Sequence, residues 1–344
     1  MKKQIAVLIV SALCLSLAAT SWAQTSPPPV TAINNFTINV SDPARSLNWY
    51  QGLFGLPIVA RQGNTVVMRI GDGPQFMAIN GTASQKPGYS HYGLSVDNFN
   101  ADSFLGSLRE LGFTKSDTPG PMQVSVRSRG SDLGGASEGT AEVFFGDSDG
   151  LVVQVQDSTY CGGAGALGNV CDKKPEPAPS KGLLRVREIN HVSSVVSDGQ
   201  RSVGLYRKVF TMPIDTYQGA TPVLRVGSGN AGLVLIDGTA FKVPAGIDHA
   251  CLIVDDFDID RLVQVLTDYG LKPMGETFRA TGPLQIYTTK RLPDRGGDPN
   301  GTFEFYFTDP DGIVVQLHDA RYCGGTGHLG DKCGTPEHPI GRTQ

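Results

Sequence analysis

Asn35-Phe36-Thr37-Ile38-Asn39-Val40-Ser41-Asp42 returns as His191-Val192-Ser193-Ser194-Val195-Val196-Ser197-Asp198, and Tyr160-Cys161-Gly162-Gly163 returns as Tyr322-Cys323-Gly324-Gly325. A repeat of this length means that the chain builds one supersecondary arrangement twice. It also creates an internal comparison. Where the copies differ at a polar position, one of them has gained or lost chemistry.

Within each copy a shorter unit recurs. In the first, residues 33–40 read as a strand, and Pro43–Phe54 places Leu47, Tyr50 and Phe54 at helical spacing. Three short strands are expected at 58–61, 65–70 and 75–79. The cycle then restarts, with a strand at 91–96, a helix at 101–111 and strands at Gln123–Arg129, 141–145 and 151–155. The order strand, helix, three strands therefore occurs twice per copy and four times in the chain. This is an α+β pattern, and its 43 glycines and 22 prolines suit short strands joined by turns. A length of 344 residues fits about two domains. The Pro- and Lys-rich stretch 173–181 reads as the linker between them.

The N-terminus reads as an address. Lys2 and Lys3 precede an apolar run, and Ser21-Trp22-Ala23 places small residues for a cut before Gln24. A lipoprotein reading would use Cys14, but the bulky Leu13 before it argues against lipidation. A periplasmic or secreted protein is expected, with the signal peptide at 1–23. The formal charge of −4 becomes two units more negative when the lysines leave with the signal. Neither sign is clustered, so no nucleic acid or anionic membrane partner is expected.

Cysteine usage agrees with export. Cys161 to Cys171 and Cys323 to Cys333 each span Cys-Gly-Gly-x-Gly-x-Leu-Gly-x-x-Cys. In an oxidising compartment these read as two local disulfides, each worth roughly 2–3 kcal/mol through restriction of the unfolded chain. A metal knuckle is the rival reading, but each segment offers only two thiols, and only the second adds a histidine, His328. Cys251, in an apolar strand, reads as a buried free thiol.

The paired units, the helix entries Asp42-Pro43-Ala44-Arg45-Ser46 and Asp198-Gly199-Gln200-Arg201-Ser202, and Phe307-Thr308-Asp309-Pro310-Asp311-Gly312 before a final strand resemble the vicinal oxygen chelate superfamily. That superfamily includes glyoxalases, bleomycin-resistance proteins and extradiol dioxygenases. The resemblance implies two tandem domains at 31–157 and 188–319, each curling paired modules into a half-open cup. Residues 158–187 would hold a disulfide loop and the linker, and 320–344 a second disulfide loop and tail.

The resemblance also implies ligand positions. In the second copy they fall on His191, His249 and Gln316, and in the first on Asn35, His91 and Gln154. Two histidines with a carboxylate suit a divalent metal, and Gln316 stands where the carboxylate would be. Gln154 repeats that amide, so the change is common to both copies. His91, with no second histidine beside it, reads as a strand residue hydrogen-bonded in place.

A further constellation needs no metal. Gln285, Tyr287, Thr289 and Arg291 share one face of a strand by its period of two, as do Gln123, Ser125, Arg127 and Arg129. If that face lines a cup, Gln285, Tyr287 and Arg291 could bind an oxygen-rich substrate; otherwise it is a solvent-facing side. Asp147-Ser148-Asp149-Gly150 and Asp309-Pro310-Asp311-Gly312 lack the later ligands of a calcium loop and read as turns.

Two functions follow from these residues. One is an enzyme of lyase, isomerase or dioxygenase type that uses Fe, Mn, Zn or Ni on a small oxygenated substrate in the second cup. The other is a metal-free small-molecule-binding protein like those of bleomycin resistance.

Overall fold

The computed structural model describes residues 27–342, apart from 82–84, 173 and 240–241. The expected signal peptide, with Cys14, lies outside them. Among the described residues no helix is long and apolar enough to cross a membrane.

Domain 1 runs β1 (Val30–Asn39), α1 (Pro43–Phe54), β2 (Ile58–Gln62), β3 (Thr65–Arg69), β4 (Phe76–Asn80), β5 (Gly88–Val96), α2 (Ala101–Glu110), β6 (Thr114–Lys115), β7 (Gln123–Arg129), β8 (Thr140–Gly146) and β9 (Val152–Asp157). Domain 2 repeats the order as β10 (Val186–Val196), α3 (Gly199–Val209), β11 (Ile214–Gln218), β12 (Thr221–Arg225), β13 (Gly232–Asp237), β14 (Gly246–Val254), α4 (Ile259–Asp268), β15 (Lys272–Glu276), β16 (Gln285–Arg291), β17 (Thr302–Thr308) and β18 (Val314–His318). Each domain forms one nine-stranded sheet, curled as a half-open cup. In domain 2 the order is β11-β12-β13-β10-β14-β18-β17-β16-β15. The short β6 and β15, not expected from the sequence, add a parallel edge strand to each.

Local chemistry sets the helix ends. Asp42 and Asp198 precede α1 and α3, and their carboxylates accept from the Arg45 and Arg201 amides at 3.0 and 2.9 Å. Gly55 ends α1 in a left-handed conformation, φ 66°, and a Cβ there would meet the Lys181 carbonyl at 2.1 Å. The linker is thus laid along domain 1. Glu176 bridges to Ile58, and the Leu183 and Leu184 amides both donate to the Leu53 carbonyl.

The two copies pack through a single core. Phe54 of α1 meets Phe307 of β17 at 6.2 Å between ring centres, and its counterpart Phe210 meets Phe145 of β8 at 6.1 Å. The two acidic turns, expected only as turns, complete this exchange. Asp311 accepts from the Ser41 amide and pairs with Arg45 at 2.6 Å; Asp149 accepts from the Ser197 amide and pairs with Arg201 at 3.0 Å. Deeper in, Tyr50 donates to Asp309 at 3.1 Å and Tyr206 to Asp147 at 3.3 Å. The helix entry of each copy is therefore clasped by the final turn of the other.

Burial outweighs the hydrogen bonds that Asp309 receives from the Ile313 and Asp311 amides, and raises its carboxyl from 3.8 to about 6. The folded protein then holds this proton more tightly than the unfolded chain, so the group alone lowers stability as pH rises from about 4 through 6. Asp309→Asn keeps an acceptor for both amides and cannot ionise. Its thermal midpoint should vary less than wild type between pH 4 and 7, with a gain at pH 7 of at most about 3 kcal/mol. A pronounced loss at pH 7 would show instead that the charge is needed.

Candidate functional site

His191, His249 and Gln316 lie on the adjacent strands β10, β14 and β18, and are buried. The register pairs His191 with Cys251 and Cys251 with Gln316, which sets the first and third positions abreast across β14. The His191 and His249 rings stand edge to face, 5.5 Å apart. All three line a cavity of about 340 Å³ in the cup of domain 2.

Each ring is held by its neighbour in sequence. His191 Nδ1 lies 2.8 Å from Asn190 Oδ1, and His249 Nδ1 lies 2.8 Å from Asp248 Oδ2. An oxygen at Nδ1 takes the ring proton there and leaves Nε2 as the bare nitrogen, the usual outer support of a metal-bound histidine. Burial first, and then His249, lower the His191 pKa well below its ordinary value; Glu304 and Gln316 oppose this without cancelling it. His191 is therefore a neutral imidazole near neutral pH.

Behind this group lies a carboxylate that the sequence reading missed. Glu304 Oε1 accepts from Arg291 Nε at 3.0 Å, while Oε2 accepts from Gln316 Nε2 at 2.6 Å and lies 3.3 Å from His318 Nε2. Burial works against its charge, but Arg291 and His318 bring its pKa down to about 2. Glu304 is thus a permanent anion. Its hydrogen bond orients the Gln316 amide, whose Oε1 is left buried without a hydrogen-bond partner. Domain 1 repeats the pair, with Arg129 Nε 2.9 Å from Glu142 Oε1. An acid flanked by apolar residues in both Phe303-Glu304-Phe305 and Ala141-Glu142-Val143 was the available signal.

The tyrosine ahead of each disulfide completes the floor of the cup. Tyr322 stacks on His318 at 3.7 Å and on His191 at 5.4 Å, and its counterpart Tyr160 donates to Glu142 at 2.7 Å. The disulfides Cys161–Cys171 and Cys323–Cys333 close the loops that follow, and Cys251 is a buried free thiol.

The residues expected to bind substrate divide. Tyr287 lines the cavity and stacks on Tyr306 at 5.0 Å. Arg291 lines it too, but its nitrogens are spent on Glu304, the Gly296 carbonyl and the Gly325 carbonyl, as a buried guanidinium requires. Gln285 turns back at the strand end, where its oxygen accepts from the Thr281 amide at 2.8 Å. Arg291 and Gln285 therefore build the cup, and Tyr287 with Tyr306 forms its aromatic wall.

In domain 1 the matching positions bond to one another. Asn35 Nδ2 donates to Gln154 Oε1 at 3.1 Å, Gln154 Nε2 donates to Tyr160, and His91 Nε2 lies 3.2 Å from Thr37 Oγ1. Burial first and then Arg127 bring the His91 pKa down to about 4.

The donor set of domain 2 fits a divalent cation by its chemistry: two imidazoles held through Nδ1 with Nε2 left over, and a buried amide oxygen. The third donor is neutral, and among the described residues no three His, Cys, Asp or Glu side chains converge as a metal cage.

Comparisons place these features among known proteins. The family model described as the Glyoxalase/Bleomycin resistance protein/Dioxygenase superfamily matches residues 32–155 and 188–317. Among solved structures, the 2,3-dioxygenase LapB from Pseudomonas sp. KL28 is similar with a TM-score of 0.60 at 12% identity, over 92% of this chain and 98% of that one. A catechol 2,3-dioxygenase gives a TM-score of 0.57 at 12% identity, over 91% and 92%. The Mn(II)-bound glyoxalase from Novosphingobium aromaticivorans gives 0.57 at 16%, over 84% and 82%. No curated protein sequence matches.

The Glu304 anion accounts for the amide at position 316. In Gln316→Glu a second carboxylate would replace the 2.6 Å donor, and two like charges would meet in a buried place. This variant should lose about 1–3 kcal/mol without added metal at pH 7. The loss should shrink as pH falls and the new carboxyl binds a proton, as chemical unfolding at pH 5 and 7 would show.

Proposed function

The chain belongs to the glyoxalase/bleomycin resistance protein/dioxygenase superfamily, and from that premise we propose that domain 2 is the catalytic half of an exported metal-dependent enzyme. His191, His249 and Gln316 would hold one divalent cation, Fe, Mn, Zn or Ni. The reaction is of lyase, isomerase or dioxygenase type on a small oxygenated substrate.

The observation that carries this reading is the state of the three donors. Both histidines are fixed through Nδ1, and Gln316 Oε1 is buried beside the His191 ring with no other hydrogen-bond donor upon it. When bound, the metal would supply Lewis acidity toward substrate oxygens. The remaining work falls to the chain. Asn190 and Asp248 keep the ring protons on Nδ1, and Glu304 fixes the direction of the Gln316 amide. Tyr287 and Tyr306 provide a flat apolar wall against which a planar or short substrate can lie. Arg279 pairs with Asp248 at 2.9 Å, so Asp248 bonds to both Arg279 and His249 at the cavity edge.

A specific observation favours a second reading. A neutral third donor holds a divalent cation more weakly than a carboxylate would, which suits a metal-free cup that binds its ligand by stacking and hydrogen bonds.

Metal analysis of the purified mature protein decides between them. The wild type should carry close to one equivalent of Fe, Mn, Zn or Ni, or gain several degrees in thermal midpoint when one of these is added. His191→Ala and His249→Ala should abolish both responses. A wild type with neither response would leave the metal-free reading. Export has its own test: N-terminal sequencing of periplasmic material should begin at Gln24.

A further inference from the structure

A second cavity, of about 570 Å³, occupies the cup of domain 1 and shares no residue with that of domain 2. Its ligand-type positions offer a single imidazole, and Asn35 donates to Gln154 while His91 bonds to Thr37, which leaves only Asn35 Oδ1 without a partner. At four other positions its lining differs from that of domain 2.

Arg127 lines this cavity where domain 2 has Thr289, both two residues before the buried arginine of the strand. Lys115 lines it where domain 2 has Pro273, the two holding the same register against Val124 and Ile286. Asn80 stands where domain 2 has Ile236, each one strand across from the matching residue of the first strand. Ser125 replaces Tyr287. The cup of domain 2 is walled by tyrosines. That of domain 1 is polar and carries Arg127 and Lys115 at these positions, whereas the arginines of the domain 2 cavity, Arg279, Arg291 and Arg295, stand among four acids.

The charge at Arg127 is not consumed. Its one ion-pair partner among the described residues is Glu142, at 3.7 Å. Glu142 already receives Arg129 at 2.9 Å and Tyr160 at 2.7 Å. Two guanidiniums thus face a single buried carboxylate, while at the rim Lys115 and Asp117 offset each other. The lining charges Lys115, Arg127, Asp117 and Glu142 balance, but Glu142 is already neutralised by Arg129 beneath it, so a net single positive charge remains on Arg127, whose side chain is 45% exposed. A guanidinium in this state matches a carboxylate through two parallel hydrogen bonds.

We propose that the cup of domain 1 is a separate, metal-free binding site for a small oxygen-rich carboxylate, with Arg127 as its anchor and Ser125 as a hydrogen-bonding group, beside Thr37 and Asn80, which already bond to His91, Asn39 and Thr65 and offer only their remaining capacity. The single excess charge is balanced by one carboxylate, whereas a dianionic phosphate would leave one negative charge uncompensated. The volume falls within the ordinary range of small-molecule pockets. This site does not depend on metal or chemistry in domain 2, and the two cups receive different ligands.

Isothermal titration calorimetry tests this on the full mature chain, with gluconate and 4-hydroxybenzoate as probes, glucose and 4-hydroxybenzamide as their neutral counterparts, and inorganic phosphate as the competing anion. At least one carboxylate should bind at millimolar concentration or tighter, with its neutral counterpart at least about tenfold weaker. Arg127→Gln, at an exposed position that leaves the Arg129–Glu142 pair intact, should remove that preference. His249→Ala should leave it unchanged. The proposal falls if neither carboxylate binds, if phosphate binds better than both, if the preference survives Arg127→Gln, or if His249→Ala abolishes it.

Discussion

A guanidinium taken out of water must find a carboxylate and further acceptors, and this constraint, met in full by Arg291 and in greater part by Arg129, organises the rest of the protein. Arg291 binds Glu304, and its other nitrogens hold the Gly296 and Gly325 carbonyls. Arg129 binds Glu142 and the Gly163 carbonyl in the same way, but its Nη1 is buried without a hydrogen-bond partner. The arginine therefore ties the last strands of the cup to the loop that each disulfide closes. Removal of either partner alone would leave a buried charge, a loss of about 3–5 kcal/mol.

The same pair dictates what stands at the candidate metal position. A carboxylate at 316 would face Glu304, whereas an amide can donate to it and keep one oxygen for the cavity. The negative charge beside these donors stands on β17, as Glu304, and not on β18. It is neutralised there by Arg291, so the donors that remain are uncharged. Tyr322 and Tyr160 fill the floor beside these carboxylates, which makes the residue before each disulfide part of the cup.

The domains are joined by reciprocity. Each places Asp147 or Asp309 under a tyrosine of the other, and Asp149 or Asp311 against the other's helix entry. The strands of both sheets pack over one continuous core, with β1 against β10 and β5 against β14. The symmetry of the clasp leaves the cups free to diverge, because neither cup's polar lining takes part in it. Divergence has gone to histidine and tyrosine in one, and to arginine, asparagine and serine in the other.

The sequence by itself determined the repeat, the order of elements, the helix entries and the disulfide loops. These depend on period, caps and spacing, which are local properties of the chain. Through family resemblance it also singled out His191 and His249, which the fold brings together on neighbouring strands of one cup. Tertiary structure alone decided the rest. Arg291 and Gln285 shared a polar strand face with Tyr287, but an alternating pattern cannot say which polar atoms will meet partners from other strands. Glu304 looked like any strand acid until β16, β17 and β18 brought Arg291 and Gln316 around it. The acidic turns looked complete in themselves, and their partners lie more than two hundred residues away in one direction and some fifty in the other. Pairing between buried charges is set by distance in space, which no local pattern encodes.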